Sequence, residues 1–176
     1  MIIFVDEKIE ILRDNCNNLR DRAMIDFLLS TGIRVGELVR LNIDDIDFSE
    51  RECVVHGKGD KERKAYFDAK TKIHLLNYIE SRTDNNIALF VSLNKPHSRL
   101  TESGVELRLR ETGKKLGVEK VHPHKFRRTM ATRAIEKGMP IEQVQKILGH
   151  EQIDTTLRYA MVNQNNVKLS HRKYIS

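Results

Sequence analysis

Apolar residues recur along most of this chain at helical spacing, and one short region alternates with the period of a strand. Asp21 to Ser30 reads as a mostly apolar helix, halted at Thr31-Gly32 where glycine permits the left-handed turn that ends helices. A new short helix follows over Arg34-Val35-Gly36-Glu37-Leu38-Val39, so Arg34 stands in a turn at a helix start. Cys53-Val54-Val55-His56 and Arg63-Lys64-Ala65-Tyr66-Phe67 read as two strands around Gly57-Lys58-Gly59-Asp60, a turn that carries Lys58. Ile73, Leu76 and Ile79 share one face of a further helix, and another runs from Thr101 to Leu116, before Gly117. Pro123 opens a longer helix to Lys137, closed by Gly138; Pro140 opens the next, which carries Ile141, Val144, Ile147 and Leu148 and is closed by Gly149. His150 falls just past that cap. Asp154 is placed to cap a last helix through Thr155-Thr156-Leu157-Arg158-Tyr159, with a polar tail from Asn163 to Ser176. The fold class is therefore α+β, mainly α-helical with a small antiparallel hairpin.

A length of 176 residues fits one domain over 1–176, and no repeat or Pro/Gly/Ser linker divides it. With 39% apolar and 32% charged residues, the chain is too hydrophobic for disorder and too polar for a membrane protein. Its longest apolar stretches are far shorter than a span, and Met1-Ile2-Ile3-Phe4-Val5 lacks the basic flank of a signal peptide, so no membrane partner is expected and the cytoplasm is the default location. Cys16 and Cys53 stand apart, which indicates neither a disulfide framework nor a cysteine zinc site. A net charge of +6 permits a polyanionic partner without demanding one. The distribution says more: His122 to Arg133 holds Lys125, Arg127, Arg128 and Arg133 and no carboxylate, the pattern of a phosphate-facing helix.

Cutting DNA without a metal requires a nucleophile, cations around the phosphorus and an acid for the departing oxygen. Each type of group is present. His124 and Arg127 stand three apart on one helix and can share a face. Arginine suits phosphate because its planar fork donates two parallel hydrogen bonds and stays charged at any working pH.

The segments Thr31-Gly32-Ile33-Arg34-Val35-Gly36-Glu37-Leu38, His124-Lys125-Phe126-Arg127-Arg128-Thr129, Leu148-Gly149-His150 and Thr155-Thr156-Leu157-Arg158-Tyr159 resemble, in order, the catalytic boxes of the tyrosine recombinase family. Gly57-Lys58-Gly59-Asp60-Lys61 resembles the hairpin that carries the family's lysine. Arg127 precedes His150 by 23 residues and Tyr159 comes 9 later, as the family pattern requires. The resemblance runs from Asp21 to Tyr159, nearly the whole chain.

It implies the tyrosine recombinase catalytic fold, with Tyr159 as the nucleophile that forms a 3′-phosphotyrosine and frees a 5′-hydroxyl. Arg34 and Arg127 then hold the non-bridging oxygens, His124 assists deprotonation, and His150 contacts the phosphate. Lys58 is the general acid, with Lys61 its nearest rival, and Glu37 orients the arginines from behind. Lys61, Lys125, Arg128 and Arg133 are the expected further DNA contacts. Many family members carry histidine at the position of Arg128, outside the catalytic set. The family's additional helical DNA-binding domain has no counterpart before Met1, so the expectation is an isolated catalytic domain that binds double-stranded DNA loosely and with steep salt dependence. Other copies of the chain are expected as partners, as a tetramer assembled on DNA.

Three rival readings have different signatures. A silent DNA-binding module would use the basic helix and leave Tyr159 merely packed. A type IB topoisomerase would share the chemistry but relax supercoils. A metal site at His122-Pro123-His124 with His150 lacks the dense ligand spacing of real ones. Gly57-Lys58-Gly59 lacks the spacing of a phosphate-binding loop, so neither a nucleotide nor a metal cofactor is implied.

Overall fold

The computed structural model describes residues 3–157 and 164–175. Its organising element is α2 (Leu19–Thr31), whose apolar residues point in every direction, the mark of a helix packed on all sides. Ala23, Met24, Ile25, Phe27 and Leu28 are essentially without exposure. Asn18 caps its start by accepting from the Asp21 amide at 2.8 Å, and Gly32 ends it in the left-handed region at φ 64°. A side chain on Gly32 would also run into the Met130 methyl, at 2.1 Å from the ideal Cβ. The tip of Met130 can swing aside, so it is the left-handed backbone that requires glycine here.

Around α2 lie α4 (Ala69–Glu80) and α6 (Pro123–Glu136), with α1 (Asp6–Asp14) against its other flank. Helix α3 (Val35–Arg40) follows the Gly32 turn and touches α5 (Glu102–Lys115). A three-stranded antiparallel sheet, β1 (Ile46–Asp47), β2 (Glu52–His56) and β3 (Glu62–Tyr66), packs on α2, α3 and α7 (Ile141–Leu148). In the β2–β3 ladder Cys53 pairs with Ala65 and Val55 with Arg63, so one sheet face carries Cys53, Val55 and Ala65 into the core. The chain continues through α8 (Ile153–Leu157) and α9 (Gln164–Tyr174). This is the mainly helical α+β architecture expected, with hairpin and helices where the pattern put them.

Several details correct the expectation. Helix α1 is not among the elements that periodicity predicts, because its inward face rests on only two buried apolar residues, Ile9 and Leu12. The strand β1 is two residues long, too short for any alternation to show. Helix α4 turns Thr71, Leu75 and Tyr78 inward while Ile73 is 57% exposed, although the Ile73, Leu76, Ile79 stripe fits the helical period equally well. Polar tips decide between the stripes: Thr71 Oγ1 donates to the Asp26 carbonyl at 3.4 Å, and the Tyr78 hydroxyl accepts from the Val91 amide at 3.2 Å. Asp154 is the second residue of α8 and not its cap. The segment expected as a polar tail includes α9, whose polarity leaves Val167, Tyr174 and Ile175 on the surface.

Candidate active site

Arg34 is placed by a helix start. It precedes α3 with extended backbone (φ −78°, ψ 152°), and its amide donates to Glu37 Oε2 at 2.8 Å, which satisfies a donor that the helix leaves unpaired. Its guanidinium reaches the same carboxylate, Nη1 to Oε1 at 3.3 Å, while 42% of the side chain stays exposed. Glu37 is 4% exposed. Burial alone would push its carboxyl up, but the hydrogen bonds from Arg63 and from the Arg34 amide, with both guanidinium charges, hold it below the usual carboxylate range. Glu37 thus holds Arg34 through both its amide and its guanidinium, whereas the Arg127 fork donates to backbone carbonyls.

Arg63 is the residue that sequence reasoning missed. It lies on β3 and gives Nη1 and Nη2 to the two oxygens of Glu37, the second at 2.9 Å, and Nε to the Ile147 carbonyl at 3.0 Å. One signal for it was present: strand alternation puts Arg63 on the same face as buried Ala65, where an arginine needs a partner.

Arg127 sits on α6 and is 4% exposed. Its Nη1 and Nη2 donate, each at 2.5 Å, to the carbonyls of Gly32 and Leu148, at the C-terminal ends of α2 and α7. Those carbonyls are ones the helices leave unpaired, and they carry the negative end of the helix dipole.

His150 follows Gly149, whose φ of 63° ends α7. Its Nδ1 lies 2.8 Å from the hydroxyl of Thr156, a fully buried residue of α8 that sequence reasoning did not single out. Burial and the charges of Arg127, Arg34 and Arg63 push the imidazole down to about 4, so it is neutral at ordinary pH. The structure thus brings Arg34 and His150 to one place, with the charge of buried Arg127 close to the imidazole. An open cleft of about 800 Å³ lies there, lined by Arg34, Gly57, Lys61, Arg63, His150 and Thr155 among others.

The remaining candidates divide. Lys58 begins the 3-10 turn between β2 and β3; its side chain lies outside what the structure describes. Tyr159 falls within 158–163, also outside the described residues. Lys61 is exposed and pairs with Glu151 at 2.8 Å. His124 is exposed and lines a second cleft, of about 850 Å³, with Arg110, Lys114, Lys120 and His122, and not the cleft of Arg34 and His150. Its spacing from Arg127 is as expected, but Arg127 turns inward to carbonyls while His124 stays at the surface.

The expected phosphate-facing row on α6 needs correcting as well. Lys125 is buried, donates to the Glu119 carbonyl at 3.2 Å and stacks its ammonium over Phe4 at 4.4 Å, so it is withdrawn from the DNA-contact set. Arg133 is ion-paired with Asp6 on α1. Arg128 remains exposed. No group of three or more histidine, cysteine or acidic residues is set to hold a metal among the described residues. Burial pushes Cys16 to about 11 and Cys53 to about 12, which leaves both thiols protonated. No helix among the described residues is long and apolar enough to cross a membrane.

A fold of this kind, with two arginines converging on a histidine beside a lysine-bearing hairpin, defines a class, and comparison with known proteins agrees with it. Residues 5–166 match the phage integrase family, and the chain belongs to that family. Tyrosine recombinase XerC of Staphylococcus aureus (strain JH9) is 37% identical over 175 residues, which is 94% of this chain and 58% of that protein. The crystal structure of XerA recombinase superposes with a TM-score of 0.84 at 32% identity, covering 99% of this chain and 64% of that one. The XerH site-specific recombinase, bound to its difH substrate, shares the fold at 23% identity with a TM-score of 0.79, over all of this chain and 55% of that one. The chain therefore spans a little over half the length of the relatives it matches.

Proposed function

We propose that this chain carries the strand-cleaving and strand-rejoining chemistry of a site-specific DNA recombinase of a mobile element, acting through a 3′-phosphotyrosine. The observation that carries this is Arg34 and a neutral His150 lining one cleft, with Glu37 holding Arg34 in place and the buried Arg127 charge close to the imidazole. An exposed guanidinium and an imidazole held in place before substrate arrives, with a second arginine charge close by, suit the charge that develops on the non-bridging oxygens of a five-coordinate phosphorus. Tyr159 attacks that phosphorus, the bond to the 5′-oxygen breaks, and Lys58 supplies the proton to the leaving oxygen. To His124, which lines a separate cleft in the free chain, the resemblance assigns help in losing the phenolic proton. Reversal with a 5′-hydroxyl from another strand rejoins DNA without external energy. The residues named need no metal or nucleotide.

The relatives support this reading: XerC is a tyrosine recombinase, and the XerH structure holds its difH DNA. Double-stranded DNA in the cytoplasm and further copies of the chain assembled on it, as a tetramer, are the partners we assign. Lys61 and Arg128 are the remaining surface cations assigned to DNA, and Arg133 contributes there only if its pair with Asp6 opens.

The test is a nicked suicide substrate from the element that encodes the protein, incubated with the chain and with Tyr159→Phe. A slow, detergent-resistant, protease-sensitive band is expected from the first and not from the second. Equal DNA binding by both with no band from either would overturn the enzymatic reading and leave a DNA-binding module. Relaxation of a supercoiled plasmid without strand exchange between sites would move it to topoisomerase chemistry.

A further inference from the structure

Arg63 sits where three parts of the cleft meet. It belongs to β3, the strand that leaves the Lys58 turn, and only four residues separate it from Lys58. Through Glu37 it reaches α3 and hence Arg34; through the Ile147 carbonyl it reaches the end of α7, three residues before His150. Every nitrogen of its guanidinium has a partner in these bonds, and 13% of the side chain is exposed against 3% for Glu37. Gly149 leaves room for this arm: a Cβ there would stand 2.8 Å from Arg63 Cδ and 2.9 Å from Nε.

The geometry points to Arg63 as a positioning residue, one that ties the Lys58 hairpin, Arg34 and the His150 loop into a single rigid frame without touching the phosphate itself. This rests on the reading of the cleft as a strand-cleaving site. An arginine is needed because the task takes a bidentate fork on one carboxylate plus a third donor at right geometry for a carbonyl; a lysine ammonium has the charge but not the fork. Misplacement of catalytic groups by about an ångström costs on the order of 100-fold in rate, so loss of the frame is expected in the chemical step. DNA affinity, set mostly by phosphate neutralisation elsewhere, should change little.

The experiment compares wild type, R63K, R63Q and E37Q in the full chain, with three readouts. Thermal unfolding first establishes a temperature at which each variant is folded. At that temperature the rate of covalent complex formation is expected to fall about 100-fold in R63Q and E37Q and nearly as far in R63K. DNA binding, measured on a Tyr159→Phe background, should stay within a few-fold, as expected when phosphate contacts are untouched. The third readout is the His150 titration by NMR, which needs no activity. Arg34, Arg127 and Arg63 face this imidazole as charges and Thr156 as a hydroxyl, so R63Q should raise its midpoint above the wild-type value while R63K leaves it low.

Full cleavage by folded R63K or R63Q would overturn the proposal, since a merely structural arginine is dispensable once the fold is intact. A wild-type chain that gives no covalent band would instead count against the strand-cleaving reading, and the NMR arm would still report whether the Arg63 charge stands beside His150.

Discussion

Arg127 and Lys125 are two positions apart on α6, and both are cations driven inside, yet their chemistry differs. Arg127 has planar donors that match two helix-end carbonyls, whereas Lys125 finds one carbonyl and an aromatic face. Removing Arg127 as Arg127→Ala leaves the Gly32 and Leu148 carbonyls short of a buried donor, and the expected cost is about 1–3 kcal/mol of stability together with loss of cleavage. Chemical denaturation and the covalent-complex gel separate the two effects. Lys58→Ala is expected to lose cleavage of ordinary DNA and to recover it on a substrate whose 5′-bridging oxygen is sulfur. A thiol has a pKa of about 8.5 and leaves without an acid. Persistent inactivity on the sulfur substrate would remove Lys58 from the acid's role.

Within the site, His150 and Glu37 make stability depend on pH. The folded imidazole titrates near 4, below the ~6.5 of an unfolded histidine, so between those values the unfolded chain binds more protons than the folded one. Stability should therefore fall as pH drops from about 6.5 to about 4, and this contribution should be flat above. Glu37 acts in the same direction, because its folded pKa is also lowered: its stabilisation is complete above the unfolded value and is lost as pH falls through the folded one. Urea denaturation across this range should show a shallower acid loss in His150→Gln than in wild type.

At the level of elements, short helices are held by their ends. α2 ends where the Arg127 fork collects the Gly32 carbonyl, and α7 ends where the same fork collects the Leu148 carbonyl, so helix termination and site assembly are one event. Gly32→Ala would force an L side chain into the left-handed region, with the Met130 tip moving aside, at an expected cost of about 1–3 kcal/mol. Because the Gly32 carbonyl carries Arg127, cleavage should fall further than stability alone explains, which a rate measured well below the melting temperature would show. Asn18→Ala removes the cap at the far end of α2 together with a hydrogen bond to Asp21 Oδ2, and should cost about 1–2 kcal/mol with the rate unchanged.

Across the whole molecule, the segment before α2 binds the frame together. The Phe4 amide donates to Thr129 Oγ1 at 3.0 Å, its ring lies 4.9 Å from that of Phe126, and Asp6 pairs with Arg133, so the N-terminal segment clamps α6 from behind the cleft. Arg13 and His74 both close on buried Asp26, which joins α1 and α4 through α2. Val167 and Tyr174 of α9 and Ile175 after it are exposed, and the assembly on DNA proposed above would use them as a contact between copies. Sedimentation should show a monomer in free solution and a larger assembly when target DNA is added; a stable tetramer without DNA would contradict this.

What the sequence determined by itself was local. Glycines at 32, 138 and 149, prolines at 123 and 140 and the strand alternation around residue 57 act over a few residues, so helix ends, the hairpin and the catalytic motifs were legible. What only the tertiary structure decided was which way side chains face when two patterns compete and which distant groups meet. The α4 stripe, the inward turn of Lys125, the His150–Thr156 contact and the Glu37–Arg63 fork all depend on partners elsewhere in the fold, some of them brought close across 26 to 84 positions. A charged residue on a buried face announces that it needs a partner, and only packing can supply one.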